Sequence, residues 1–218
     1  MVFILLPLHF RPREKRGQSQ TLIPGVRWQL FAYFSALGLG FLFIEIPLMQ
    51  KFILFLDQPT YAFAIVLFTI FVCSGLGSVL STKLVKVLPQ VIFGLGLLAL
   101  LYPLLLPHFF EALLGQPLLV RLLAAFGALA PVSFLMGVPF PSGIKITGTL
   151  SPDLIPWAWG INGCLSVVSS ILSLMLALSV GFSLVLVAGG SAYLLGAGVV
   201  CQWVRKNRTG VGGKGLLT

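Results

Sequence analysis

A single carboxylate stands inside a long apolar run. It is Glu45, in Gly40-Phe-Leu-Phe-Ile-Glu-Ile-Pro47. At the centre of a helix in lipid such a group costs about 2.5–3.5 kcal/mol on insertion scales. It must therefore face the interior of a bundle, find a partner, or hold a proton. Two readings stay open. One is a proton or cation site within the membrane. The other is a structural hydrogen bond near the outer interface, with Gln50 or Lys51. A second polar residue, Asn162, opens another apolar run in Trp157-Ala-Trp-Gly-Ile-Asn-Gly163. Its amide can bond a neighbouring helix, a contact worth about 0.6 kcal/mol on average in lipid, or reach a ligand. Glu45, Gln50 and Asn162 form the candidate intramembrane polar site. Trp28, Trp157 and Trp159 read first as interface anchors, because an indole is apolar in body and polar at one edge.

Other chemistry is hard to assemble. A nucleophile needs a base beside it, but His9 and His108 lie at segment ends, away from any serine or cysteine motif. Cys73, Cys164 and Cys201 fall in apolar runs with no metal-ligand spacing, and read as small buried hydrophobes. Gly38-Leu-Gly40 and Gly75-Leu-Gly77 lie within apolar runs, not between a strand and a helix, so they are not phosphate loops. An enzyme, a metal site and a disulfide framework are not expected, and no cofactor is assigned.

The elements that must position these residues follow from composition. The chain of 218 residues is 58% hydrophobic and 9% charged, where soluble domains carry about 25% charge. Lipid is the solvent that suits it. The expected fold is all-α, a polytopic bundle of six membrane helices near 28–50, 60–81, 89–107, 118–138, 156–180 and 183–203. Met136-Gly-Val-Pro-Phe-Pro-Ser-Gly143 predicts a broken end to the fourth, since proline removes a backbone donor and crowds the preceding turn. Residues 1–27 read as a short apolar segment and a basic cytoplasmic linker, 28–204 as the membrane domain, and 205–218 as a mobile basic, glycine-rich tail. Small residues let helices approach closely. Ala36 and Gly40 on the first helix, and Gly160, Gly163, Ser166 and Ser170 on the fifth, are the expected packing positions.

The net charge of +9 points to the membrane and not to nucleic acid, because the basic residues sit between apolar runs. Six spans place twelve of the fourteen basic residues on one side, leaving Lys51 and Arg121 on the other. The positive-inside rule makes the twelve, and both termini, cytoplasmic. The expected location is a cytoplasmic-type (bacterial inner) membrane, and the expected partners are the lipid bilayer and other membrane protein subunits.

Several motifs carry a resemblance. Tyr33–Leu56, Pro59-Thr-Tyr-Ala62, Ser74-Gly-Leu-Gly-Ser78, Met136–Gly143 and Pro156–Gly163 resemble the membrane part of bacterial multi-spanning spermidine-synthase-like proteins. The likeness covers roughly residues 25–205. It implies that the chain is a detached or truncated C-terminal membrane half. The soluble aminopropyltransferase- or methyltransferase-like domain of that family has no counterpart here, so its activity is not carried over. A looser similarity is to one six-helix half of a major facilitator transporter. The basic loop Gly77–Lys86 agrees with it, although the acidic residue typical of that loop is missing.

The leading expectation is a non-catalytic membrane subunit or anchoring module that packs against other membrane chains. The rivals are a transport half-unit for a cation, polyamine or lipid-like solute, and a membrane anchor for a separate aminopropyltransferase- or methyltransferase-like enzyme.

Overall fold

The computed structural model describes residues 24–209. The expected apolar segment at 1–10, the linker residues up to 23 and the tail beyond Thr209 lie outside the described residues. Among the described residues seven α-helices follow one another: α1 (Pro24–Leu56), α2 (Pro59–Leu84), α3 (Leu88–Leu113), α4 (Leu118–Met136), α5 (Pro139–Leu150), α6 (Ile155–Val180) and α7 (Phe182–Thr209), with 3₁₀ turns at Val85–Val87 and Pro152–Leu154. Five continuous stretches among the described residues are long and apolar enough to cross a membrane: Arg27–Leu56, Pro59–Leu113, Leu118–Thr149, Pro152–Val180 and Phe182–Gln202. The second comprises α2 and α3, which the first 3₁₀ turn joins.

Helices suit this sequence because lipid offers no partner for a free backbone group. Hydroxyls inside the helices obey the same constraint. Thr69 donates to the Ile65 carbonyl at 2.6 Å, Ser133 to Leu129 at 2.8 Å and Thr147 to Gly143 at 2.8 Å, each one turn back.

Contacts fix the directions. Along α1, Lys51, Ile44, Gly40 and Ala36 meet Ser183, Gly189, Tyr193 and Gly196 of α7, so the two are antiparallel. Gly96 and Leu100 of α3 meet Leu194 and Gly190 in the same sense. Arg121 at the start of α4 lies over the Phe55 ring near the end of α1. At the opposite end the Tyr33 hydroxyl donates to the Pro139 carbonyl at 2.7 Å. Thus α4 runs against α1, and Phe126 and Phe134 beside Phe68 and Gly77 set α2 parallel to α4. Asn162 at Gly38 and Ser169 at Leu39 set α6 along α1. One end of the bundle therefore carries Arg27, Lys83, Lys86 and Lys145, and the other carries Lys51, Asp57, Glu111 and Arg121.

The core lies along α1, where Tyr33, Phe34, Ile44 and Phe52 are fully buried, and continues into Ile92 and Leu95 of α3, Val132 of α4 and Leu186 and Tyr193 of α7. Half of the Arg27–Leu56 window is buried but only 17% of the Pro152–Val180 window, so α6 is the peripheral helix.

Several boundaries differ from those expected. The first helix continues past 50 to Leu56, carrying Pro47 and Lys51 within it. The third runs through Pro103 and Pro107 to Leu113, so His108 and Glu111 are helical and not beyond the end. Prolines are tolerated in lipid when neighbours satisfy the freed groups. The last helix reaches Thr209, past the expected start of the tail at 205. The predicted break at Gly137 is present, but a short helix, α5, follows it at once. Pro139 stands in its first turn, where a missing N–H costs nothing. Gly137 and Gly77 allow α2 and α4 to touch there. A side chain on either would collide with the backbone carbonyl of Ser74 or Phe134.

Candidate functional site

A cleft of about 530 Å³ opens between the helices, on the half of the bundle nearer Arg27. Phe41 and Leu42 come from α1, Phe71, Ser74 and Ser78 from α2, Pro141 from α5 and Trp159, Asn162 and Ser166 from α6, with Tyr193 of α7 behind them. Ser74 and Ser78 are one helical turn apart, which puts both hydroxyls on one face. The Ser166 hydroxyl donates to the Asn162 carbonyl at 2.8 Å and lies 3.3 Å from that of Gly38. One turn on, Ser169 donates to Leu39 at 2.7 Å. Trp159 meets Phe140 edge-on, with centroids 4.7 Å apart, and Phe140 meets Phe34 in the same manner at 5.7 Å. These rings wall the cleft on the Arg27 side. The lining offers an amide, three serine hydroxyls and a phenol. That is chemistry for hydrogen bonding to an uncharged polar group or to another helix.

The expected polar site is divided. Asn162 lines the cleft, but Glu45 and Gln50 do not. Glu45 lies one turn past Phe41 and is half-buried. Among the described residues its carboxylate has no hydrogen-bond partner. The structural reading paired it with Gln50 or Lys51. Lys51 instead donates to the Ser183 hydroxyl at 3.0 Å, tying α1 to the start of α7. Gln50 is half-buried near that end.

The three tryptophans are exposed at the Arg27 end of the bundle: Trp28 by 72%, Trp157 by 68% and Trp159 by 59%. Of the packing residues, Ala36 lies against Gly196, and Gly40 against Tyr193 and Gly189. The stripe on α6 splits in two. Ser166 and Ser169 face α1, whereas Gly160 and Gly163 look outward, with nothing near where a side chain would begin. Ser170 donates to the Val167 carbonyl of its own helix at 2.7 Å and is half-buried. Cys164 and Cys201 are exposed and Cys73 is buried, all three as free thiols. Among the described residues no three His, Cys, Asp or Glu side chains come together as a metal site would need.

Three groups were not singled out in the sequence. Tyr193 was overlooked, although a phenol inside a span needs a partner or a cavity. Ser74 and Ser78 stand in the sequence only as the ends of the motif Ser74-Gly-Leu-Gly-Ser78. Arg121 served only as a topology marker. Its guanidinium lies 5.1 Å over the Phe55 ring, with Nε and Nη2 buried and unpaired among the described residues. Cation–π attraction to Phe55, beside Phe52, Phe109 and Phe110, offsets part of that burial.

Comparison of the chain with protein-family models, curated proteins and solved structures finds no match.

Proposed function

We propose that the chain is a six-span subunit or anchoring module of a cytoplasmic-type membrane, which docks on other membrane chains through the outward face of α6. The six spans would be α1, α2, α3, α4, α6 and α7, which alternate in direction, with α5 as a short helix at the inner surface. The basic end at Arg27, Lys83, Lys86 and Lys145 would face the cytoplasm under the positive-inside rule. The resemblance of Tyr33–Leu56 and Pro156–Gly163 to the membrane part of spermidine-synthase-like proteins supports a module that works beside other parts.

One observation carries the reading. Gly160, Gly163, Cys164 and Ser170 lie on the most exposed helix, with open space above both glycines. In lipid, helices associate by close packing of small residues and by interhelical hydrogen bonds. A face bearing small residues binds another helix better than it binds acyl chains. Purification in a mild detergent with mass spectrometry of bound proteins tests it. Stoichiometric membrane partners are expected, and they should be lost when Gly160 and Gly163 are both changed to leucine. A chain that remains alone under those conditions would remove the reading.

The cleft at Asn162 favours a second reading, a transport half-unit with Asn162, Ser74 and Tyr193 in the pathway. Uptake of a solute by proteoliposomes, lost in Asn162→Leu, would support it. Equal uptake by wild type and variant would exclude that pathway.

A further inference from the structure

A second cavity, of about 510 Å³, opens at the Arg27 end, between the first turns of α1, the end of α5 and the start of α6. Its volume falls in the range of small-molecule sites, about 300–1,000 Å³. Its floor is apolar, with Leu30, Phe34 and Ala158 buried. Trp28 and Trp157 stand exposed at its edge. Among the described residues Arg27 is its one charged lining residue, and it is exposed. The other polar group in the wall, the Thr147 hydroxyl, already donates to the Gly143 carbonyl at 2.8 Å. The cavity therefore presents one cation above an apolar well.

We infer that this cavity binds one anionic phospholipid, with its phosphate at Arg27 and an acyl chain in the well between Trp28 and Trp157. Charge complementarity selects the headgroup. Around this end Arg27, Lys83, Lys86 and Lys145 face a single described acid, Asp153, whereas Lys51 and Arg121 at the other end are balanced by Asp57 and Glu111. Basic pockets between membrane helices bind anionic headgroups in this way. The well selects a lipid over a soluble phosphate, because most of the lining can contact only hydrocarbon. Guanidinium pairs with phosphate through two parallel hydrogen bonds, which fixes the headgroup at the mouth.

The test is native mass spectrometry of the full chain in a zwitterionic detergent, with phosphatidylglycerol or phosphatidylcholine of the same acyl chains. The wild type should retain one phosphatidylglycerol in preference to phosphatidylcholine. Arg27→Gln should lower that preference by about fivefold, the share of one basic residue beside an anionic headgroup. Trp28→Ala with Trp157→Ala should weaken both lipids alike, and Lys83→Gln with Lys86→Gln should leave the preference intact. Circular dichroism guards against misfolding, and both the Arg27 and the lysine side chains are exposed. Equal loss in the lysine variant would mean diffuse surface charge and overturn the site. Displacement of the lipid by glycerol phosphate would mean a soluble anion site and overturn the lipid assignment. Absence of any preference in the wild type would overturn both.

Discussion

At the scale of single residues, Glu45 stands half-buried inside the first helix. Its carboxylate has no hydrogen-bond partner among the described residues, so its place in lipid is a burden on stability and not a support. Glu45→Gln is expected to fold as well as the wild type or better, with an equal or higher thermal midpoint in detergent. A clear fall in the midpoint would mean that the carboxylate holds the fold together. The serines of α6 give a sharper contrast. Ser169 donates across to Leu39 of α1, while Ser170 donates only within its own helix. Ser169→Ala should cost about 0.6–1.7 kcal/mol, the range for polar contacts between membrane helices, and Ser170→Ala should cost almost nothing. Similar losses from both would show that the Ser169 bond does not join α1 to α6.

Elements are set by where backbones can touch. Gly77 and Gly137 let α2 meet α4 at backbone distance, whereas Gly163 faces open space. Adding a methyl group should therefore destabilise Gly137→Ala by about 1–3 kcal/mol through overpacking and leave Gly163→Ala folded as before. Long apolar runs and paired prolines made the helices and the break at Gly137 legible in the sequence. Helix ends were less so. Pro107 reads as the end of the third span, yet the helix carries both Pro103 and Pro107 and runs on to Leu113. The sequence does not say which neighbours will satisfy the groups a proline frees. α5 was missed for a related reason: two prolines and two glycines predict a broken helix end, while Pro139 in fact starts a helix. The candidate site was half legible. Asn162 stood out as a polar residue in an apolar run, but Tyr193, Ser74 and Ser78 join it only because α2, α6 and α7 converge. No local pattern records that convergence.

Over the whole molecule, the alternation of helix direction and the gathering of basic residues at the Arg27 end make one account. Single cysteines at Lys83 and Lys145 should react with an impermeant reagent from the cytoplasmic side, and those at Asp57 and Gln116 from the opposite side. Reaction of both pairs from one side would refute six crossings. The outward face of α6 then becomes the feature that the fold itself leaves unused. The most direct test of the account is the company the intact chain keeps on gentle purification, compared with the variant carrying both Gly160→Leu and Gly163→Leu. Fixed-stoichiometry membrane partners, present with the wild type and lost from a variant that still folds, are the expected result. A wild-type chain that purifies alone, or a variant that keeps every partner, would contradict a subunit docked through α6.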